Sequence, residues 1–271
     1  MNDEQCVHFL RWALPRLKMR WAGFRKVRHQ VRKRLVSRLN VLHLPDVKAY
    51  INYLEAHPEE WSVLDQYCQI TISRFYREKK VFEMLEKDII PELIGLSAPD
   101  KKDTISIWSA GCSSGEEPYS LSVLRDYALR ESYPGLKFTI LATDINIQLL
   151  ERARQGRYPA SSIKNLPDEW QASAFHQAGE VFTIHQAHKA GIEFQHHDIR
   201  TPLNRGPFHG ILCRNLVFTY YSAELQGRIL QQLEQSLLPG GALIIGAREK
   251  LPSAKYGFEN WYPGSGVFRK V

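Results

Sequence analysis

The chain has 271 residues, 44% of them hydrophobic and 24% charged, with a formal net charge of +7. That composition excludes a disordered or collagen-like chain and has room for one ordinary domain and a smaller one. The N-terminus, Met1-Asn2-Asp3-Glu4-Gln5, is acidic and polar and no long apolar run follows, so neither a signal peptide nor a membrane span is expected. Cys6, Cys68, Cys112 and Cys213 lack C-x-x-C spacing, which argues against a zinc site or a disulfide framework and suits a reducing cytoplasm. The positive charge points to an acidic partner: nucleic acid, a membrane surface or an acidic protein face.

From Phe9 to about Asn40, apolar and basic positions alternate without strand-like breaks. Val27, Val31, Leu35 and Leu39 fall on one i, i+4 stripe, and Arg25, Arg28, Arg32 and Lys33 lie off it. This predicts an amphipathic helix with a cationic face. Acids that would pair along the helix are missing from the segment, so like charges repel and a neutralising partner is favoured. Pro45-Asp46 opens the next helix, Val47 to Ala56, and another is expected from about Pro58 to Gln69.

After a linking stretch, Thr71-Ile72-Ser73-Arg74-Phe75-Tyr76-Arg77-Glu78, the pattern changes to strands and helices. The run from Ile105 to Leu121 is the centre of the chain. A buried-strand pattern breaks at Gly111, turns through small residues to Gly115 and restarts as a helix with Pro118 in its first turn. Such a turn sits at the carboxyl end of a strand, where open α/β sheets bind ligands. Glu116 and Glu117 at the helix entrance would repel a phosphate, and G-x-G-x-x-G is absent, so a dinucleotide site is not indicated.

Two readings of this turn remain. Gly111-Cys112-Ser113-Ser114-Gly115 formally matches a G-x-S-x-G nucleophile elbow, although the segment before it reads as helical. The alternative is a cofactor with a cationic amino group and a ribose, S-adenosylmethionine. Later stretches favour the cofactor. Lys137 to Asp144 reads as a second strand ending in an acid placed to accept from ribose hydroxyls, although Asp144 would also serve as N-cap of a helix from Ile145. Leu237 to Ile245 ends a helix, turns on Gly240 and Gly241 and opens another strand.

Between these lie a helix from Gln148 to Arg154 closed by Gly156, and a less regular region with a hairpin-like Glu180 to Ile184. His185, His188, His196 and His197 lack convincing metal-ligand spacing. Gly210 to Phe218 reads as a strand that ends at Arg214 and Asn215.

In four ordered motifs the chain resembles the CheR family of chemotaxis-receptor glutamate methyltransferases: Gln69 to Glu78, Trp108 to Leu121, Ala142 to Tyr158 and Ile211 to Phe218. The resemblance implies an α/β fold: a Rossmann-like methyltransferase domain over 91–271, a small all-helical domain over 1–70 and a linker over 71–90 that contributes to the active site. A small β-subdomain is expected as an insertion near 159–193. It implies S-adenosylmethionine as cofactor, held by Thr71, Ser73, Arg77, Gly111, Glu116, Glu117, Asp144, Asp198, Arg214 and Asn215. Arg77, Arg214, Asn215 and Tyr220 are the expected catalytic residues. The family's usual asparagine and threonine are replaced by Thr71 and Ser73, and Thr219 stands where a tyrosine is usual, which places Tyr220 one position late.

The resemblance also implies that the basic helix, through Arg25, Arg28, Arg32 and Lys33, recognises the acidic cytoplasmic helical region of a chemoreceptor. The expected protein is a cytoplasmic monomer without a metal, stable nucleic-acid binding or membrane insertion. Competing readings are a related methyltransferase with another acceptor, a non-catalytic S-adenosylmethionine-binding module, and an RNA methyltransferase. The last is weakened because the basic stretch has no aromatic platform.

Overall fold

The computed structural model describes residues 1–96, 104–252 and 257–271, in two units. The first comprises residues 1–71 with 219–226, and the second residues 72–218 with 227–271.

The first unit is helical. Asn2 caps the Asp3–Ala13 helix through a reciprocal box with Gln5, and Asp46 caps Val47–Ala56 by accepting the Ala49 N–H at 2.8 Å. A short Trp21–Phe24 turn of helix precedes Arg28–Val41, and Glu60–Tyr67 completes the set. The expected stripe is the buried face of Arg28–Val41: Val31, Leu35 and Leu39 are buried, whereas Val27 stands at the helix entrance and is half-buried. Tyr50 Oη and the Arg38 guanidinium both donate to the buried carboxylate of Glu60, at 2.8 Å and 2.6–2.9 Å.

The 219–226 segment is sewn to residues 18–24 of the same unit. Arg20 donates its N–H to Tyr220 O at 2.8 Å and its Nε–H to Thr219 O at 3.0 Å, and the Ser222 N–H reaches Lys18 O at 2.7 Å. Phe24 meets Tyr220 edge-on at 5.1 Å, and Gly23 has no room for a side chain, since a Cβ would lie 2.3 Å from Thr219 O.

The second unit is built on a seven-stranded sheet. Its strands in chain order are β1 (Thr104–Ala110), β2 (Lys137–Asp144), β6 (Ile192–His196), β7 (Phe208–Cys213), β8 (Leu237–Ile245), β9 (Phe258–Tyr262) and β10 (Val267–Lys270). The spatial order is β6-β2-β1-β7-β8-β10-β9. All neighbours are parallel up to β8, and β10 runs antiparallel to both β8 and β9. Chain order proceeds outward from β1 to β6 and then returns to β7 on the other side of β1. The crevice at the carboxyl ends of β1, β2 and β7 is therefore the topological switch point.

The strand β1 is buried along most of its length, as a central parallel strand must be. Gly240 and Gly241 do not form a turn before a strand. They lie within β8, where the pairing with β7 shifts register.

A smaller antiparallel sheet, in the order β3 (Arg157–Pro159), β5 (Val181–Ile184), β4 (Phe175–Ala178), occupies 157–184. It starts two residues earlier than expected. Ile192 and Glu193, counted with the insertion from sequence, belong to β6 of the main sheet because they register with Ile140 and Leu141. The linker is fastened within this unit by Phe75, whose ring packs edge-on against Tyr158 at 4.8 Å and Phe175 at 5.2 Å. Burying that one side chain contributes about 2–3 kcal/mol.

Candidate active site

The loop after β1 takes three left-handed residues in five: Gly111 (φ +79°), Ser113 (φ +54°) and Gly115 (φ +90°). A Cβ at Gly111 would lie 2.5 Å from Leu216 Cδ2, and one at Gly115 would lie 2.9 Å from the Ala153 Cβ, so the glycines are demanded by contact as well as by conformation. The N–H groups of Gly111 and Cys112 both donate to Thr143 O, at 2.8 and 2.9 Å. Tyr158 Oη donates to Ser114 O at 2.7 Å. These bonds fix the loop over the carboxyl ends of β1 and β2. The Cys112 thiol is buried and pushed well above its ordinary range by desolvation, which removes it as a nucleophile.

Three carboxylates line this loop. Asp144, the last residue of β2, accepts the Ser113 N–H on Oδ2 and the Asn146 N–H on Oδ1, both at 2.8 Å. It is not the helix cap expected as its alternative role. Asn146 takes that place, accepting the Leu149 N–H at 3.1 Å, and the helix runs Ile147–Gln155. Glu116 is buried and accepts from Ser114 Oγ at 3.0 Å and from the Ser73 hydroxyl. Glu117 accepts from Ser109 Oγ at 2.7 Å and from Arg214 Nη1 at 3.0 Å. Burial pushes all three carboxyls above their ordinary values, against the pull of their hydrogen bonds. A cationic ligand would offset that cost.

At the end of β7, Arg214 bridges Glu117 and Glu78. Its Nη2 donates to Glu78 Oε2 at 2.9 Å and to the carbonyl of Arg77. Two carboxylates thus neutralise Arg214. Arg77 is half-buried, donates through Nη1 to Ile72 O at 2.6 Å and exerts a positive field on Glu117. Asn215 sits in the left-handed region at φ +56°, and its N–H donates to Glu249 Oε2 at 2.7 Å. Among the described residues, the buried Ser113 Oγ, Arg214 Nε and Asn215 Nδ2 have no hydrogen-bond partner. Buried polar atoms are rarely left so, and these three, after β1 and after β7, mark a place for a polar ligand.

The structure therefore gathers Ser73, Arg77, Gly111, Glu116, Glu117, Asp144, Arg214 and Asn215 within one unit. Asp198 follows β6, whose His196 registers with Asp144, but its carboxylate is bound by the Arg200 guanidinium at 2.9 Å. Thr71, Tyr220 and the basic residues belong to the other unit. The sequence reading missed Glu78, Ser109 and Glu249. Only Glu78 carried a signal, by ending the linking motif.

The four histidines have separate places. His188 pairs with Asp126 at 2.8 Å, His196 contacts Ile145 O at 3.0 Å, His197 contacts Pro202 O at 3.5 Å, and His185 is exposed.

The cationic face is also less bare than its sequence suggests. Arg28 donates to both oxygens of Asp3 at 2.9–3.2 Å, and Arg32 lies 3.9 Å from the same carboxylate. The acid missing from the helix is supplied by the N-terminal helix of the same unit. Arg25 and Lys33 remain exposed, Arg25 ahead of the helix rather than on it.

A parallel sheet whose strand order reverses between β1 and β7, with an antiparallel β10 beside β8 and an acid-lined glycine loop at the switch point, is the arrangement expected of an S-adenosylmethionine-dependent methyltransferase, and the family match makes it one. Residues 71–263 match the family described as CheR methyltransferase, SAM binding domain, and residues 26–64 match its all-alpha domain. The chain belongs to the CheR methyltransferase family, with S-adenosylmethionine as its cofactor.

Relatives include three proteins named chemotaxis protein methyltransferase. That of Listeria innocua is 35% identical over 72% of this chain and 72% of its own length. The Listeria monocytogenes protein is 34% identical over 78% and 79%, and the Borreliella burgdorferi protein is 31% identical over 83% and 81%.

Proposed function

We propose that this protein transfers a methyl group from S-adenosylmethionine to glutamate side chains in the acidic, helical cytoplasmic region of a chemoreceptor. The observation that carries the reading is the makeup of the site among the described residues: one buried and two half-buried carboxylates, one neutralised arginine and one half-buried arginine, with no histidine and no activated thiol. An ionised carboxylate acceptor needs no general base, which fits a site whose carboxylates are all held by hydrogen bonds from Ser113, Asn146, Ser114, Ser109 and Arg214. The names of the relatives support the same acceptor.

In this reading Asp144 accepts from the ribose hydroxyls. The backbone N–H groups that Asp144 accepts do not exhaust its lone-pair capacity. Glu116 faces the amino group of the methionine part, and Gly111 gives the loop its close approach. S-adenosylmethionine supplies a methyl group activated by its sulfonium charge. The acceptor carboxylate is held by Arg77, because Arg214 is already committed to Glu78 and Glu117. Attack by a carboxylate on a sulfonium cancels charge, so a dry and rigid site favours it. Arg25 and Lys33 supply the attraction for an acidic helix surface. Among the described residues no helix is long and apolar enough to cross a membrane, and we place the reaction in the cytoplasm.

The test is transfer of radiolabelled methyl from S-adenosylmethionine to a purified chemoreceptor cytoplasmic fragment, followed by mild alkali. Label released as methanol and lost when acceptor glutamates become alanine supports the reading. Alkali-stable label, or transfer to nucleic acid in its place, rules it out.

A further inference from the structure

The segment that follows β8 has no role in the scheme above, yet it controls the two residues at the end of β7. Glu249 Oε2 accepts two backbone N–H bonds at once, from Asn215 and from Gly246, each at 2.7 Å. One carboxylate oxygen thereby ties the carboxyl ends of β7 and β8 at the point where Asn215 adopts its left-handed backbone. Asparagine enters this region more readily than other residues with a side chain, so the bond to Glu249 selects the conformation at Asn215 rather than forcing it.

The side chain is fixed from the same place. A Cβ on Gly246 would lie 3.0 Å from both Asn215 Cγ and Nδ2 and 2.9 Å from Glu249 Oε2. Gly246 does not need its freedom of φ. It is a glycine because the Asn215 amide and the Glu249 carboxylate occupy the space. The next residue, Ala247, donates its N–H to Glu78 Oε2 at 3.3 Å, and that same oxygen accepts from Arg214 Nη2 at 2.9 Å.

We propose that Glu249 is a positioning residue for methyl transfer. Its carboxylate holds Asn215 in the left-handed conformation that sets the amide at the reacting centre, and Gly246 is the complementary surface against which that amide rests. This rests on the reading that places Asn215 at the methyl-transfer centre. The hydrogen bonds themselves do not depend on it.

The experiment has one readout in the free protein and one in turnover. Amide proton shifts of Asn215 and Gly246, measured by NMR without cofactor, lie downfield in the wild type because a carboxylate accepts both bonds. They move upfield together in Glu249→Ala. Glu249→Gln keeps a carbonyl oxygen for the same two donors and retains most of the shift. In turnover, Glu249→Ala lowers kcat by about 10- to 100-fold, the effect of misplacing one group at a reacting centre. Glu249→Gln recovers most of the loss, and Gly246→Ala reproduces it. The double variant Glu249→Ala with Asn215→Ala is no slower than Asn215→Ala alone, since the two act as one unit.

The proposal is overturned if the two losses multiply, or if Glu249→Gln is as slow as Glu249→Ala while keeping the amide shifts. If Asn215→Ala transfers methyl at the wild-type rate, the reading of Asn215 fails. The amide shifts then still decide whether Glu249 holds the turn.

Discussion

The backbone N–H of Ser113 donates to Asp144 Oδ2 at 2.8 Å, so the loop that ends one strand fixes the acid that ends the next. The proposed cofactor site is thus held together by a bond between its own parts, and in that proposal Asp144 is both a ligand-facing group and a strut.

Asp144→Ala is expected to weaken S-adenosylmethionine binding at least about 100-fold, since it removes two charged hydrogen bonds to the ribose. Asp144→Asn keeps one acceptor and loses less. Isothermal calorimetry checks the order, and near-wild-type affinity in the alanine variant removes Asp144 from the ribose.

Cofactor affinity is expected to fall as pH is lowered from neutrality toward the ordinary glutamate value of 4.5. The sign follows from burial. Asp144, Glu116 and Glu117 bind protons more readily in the free protein than free carboxylates do, and a cationic ligand requires their ionised forms. Binding within that window releases protons. Calorimetry in buffers of different ionisation enthalpy measures the number, and proton uptake would reverse the argument.

Arg38→Ala is expected to destabilise the helical unit by about 2–4 kcal/mol, because it leaves the Glu60 carboxylate buried beside Tyr50 alone. Burial by itself would raise the Glu60 carboxyl, but the bonds from Arg38 and Tyr50 outweigh it and hold the group below 4.5. A depressed carboxyl contributes stability that is present above 4.5 and lost as pH falls through its native value. The difference in thermal stability between wild type and Arg38→Ala should therefore narrow in acid.

Replacing Arg25 and Lys33 together by Glu is expected to raise the acceptor KM by about 3- to 10-fold with little change in cofactor affinity, the mark of lost steering. The same reversal at Arg28 also breaks its pairing with Asp3 and should lower thermal stability. Acceptor KM measured against salt separates the two effects.

What was legible in the sequence is local. A run of apolar residues ending at Gly111 announces a buried strand and a glycine turn, and the structure has both, the turn being left-handed at Gly111. The helix after β2 starts at Ile147, one residue before the Gln148 expected, because Asn146 caps it while Asp144, two residues earlier, is drawn off by Ser113. Contacts between distant positions left no trace. Asp3 reaches Arg28 across 25 residues, and Glu249 reaches Asn215 across 34, with no periodicity to signal either. The helix itself lacks pairing acids, as expected, but Arg28 and Arg32 meet Asp3 from another element.

Residues 219–226 belong to the helical unit although they follow closely on β7 and on Arg214 and Asn215. The two units therefore cannot be inherited as separable cassettes cut at a single joint. Exchange of residues 1–71 between relatives carries with it a requirement on a short stretch some 150 residues downstream, where Gly23, Phe24 and Arg20 must find a fitting Thr219 and Tyr220. Recombination at residue 71 alone should yield poorly folded hybrids, and a lineage that changes its helical unit must change positions 219–222 in step.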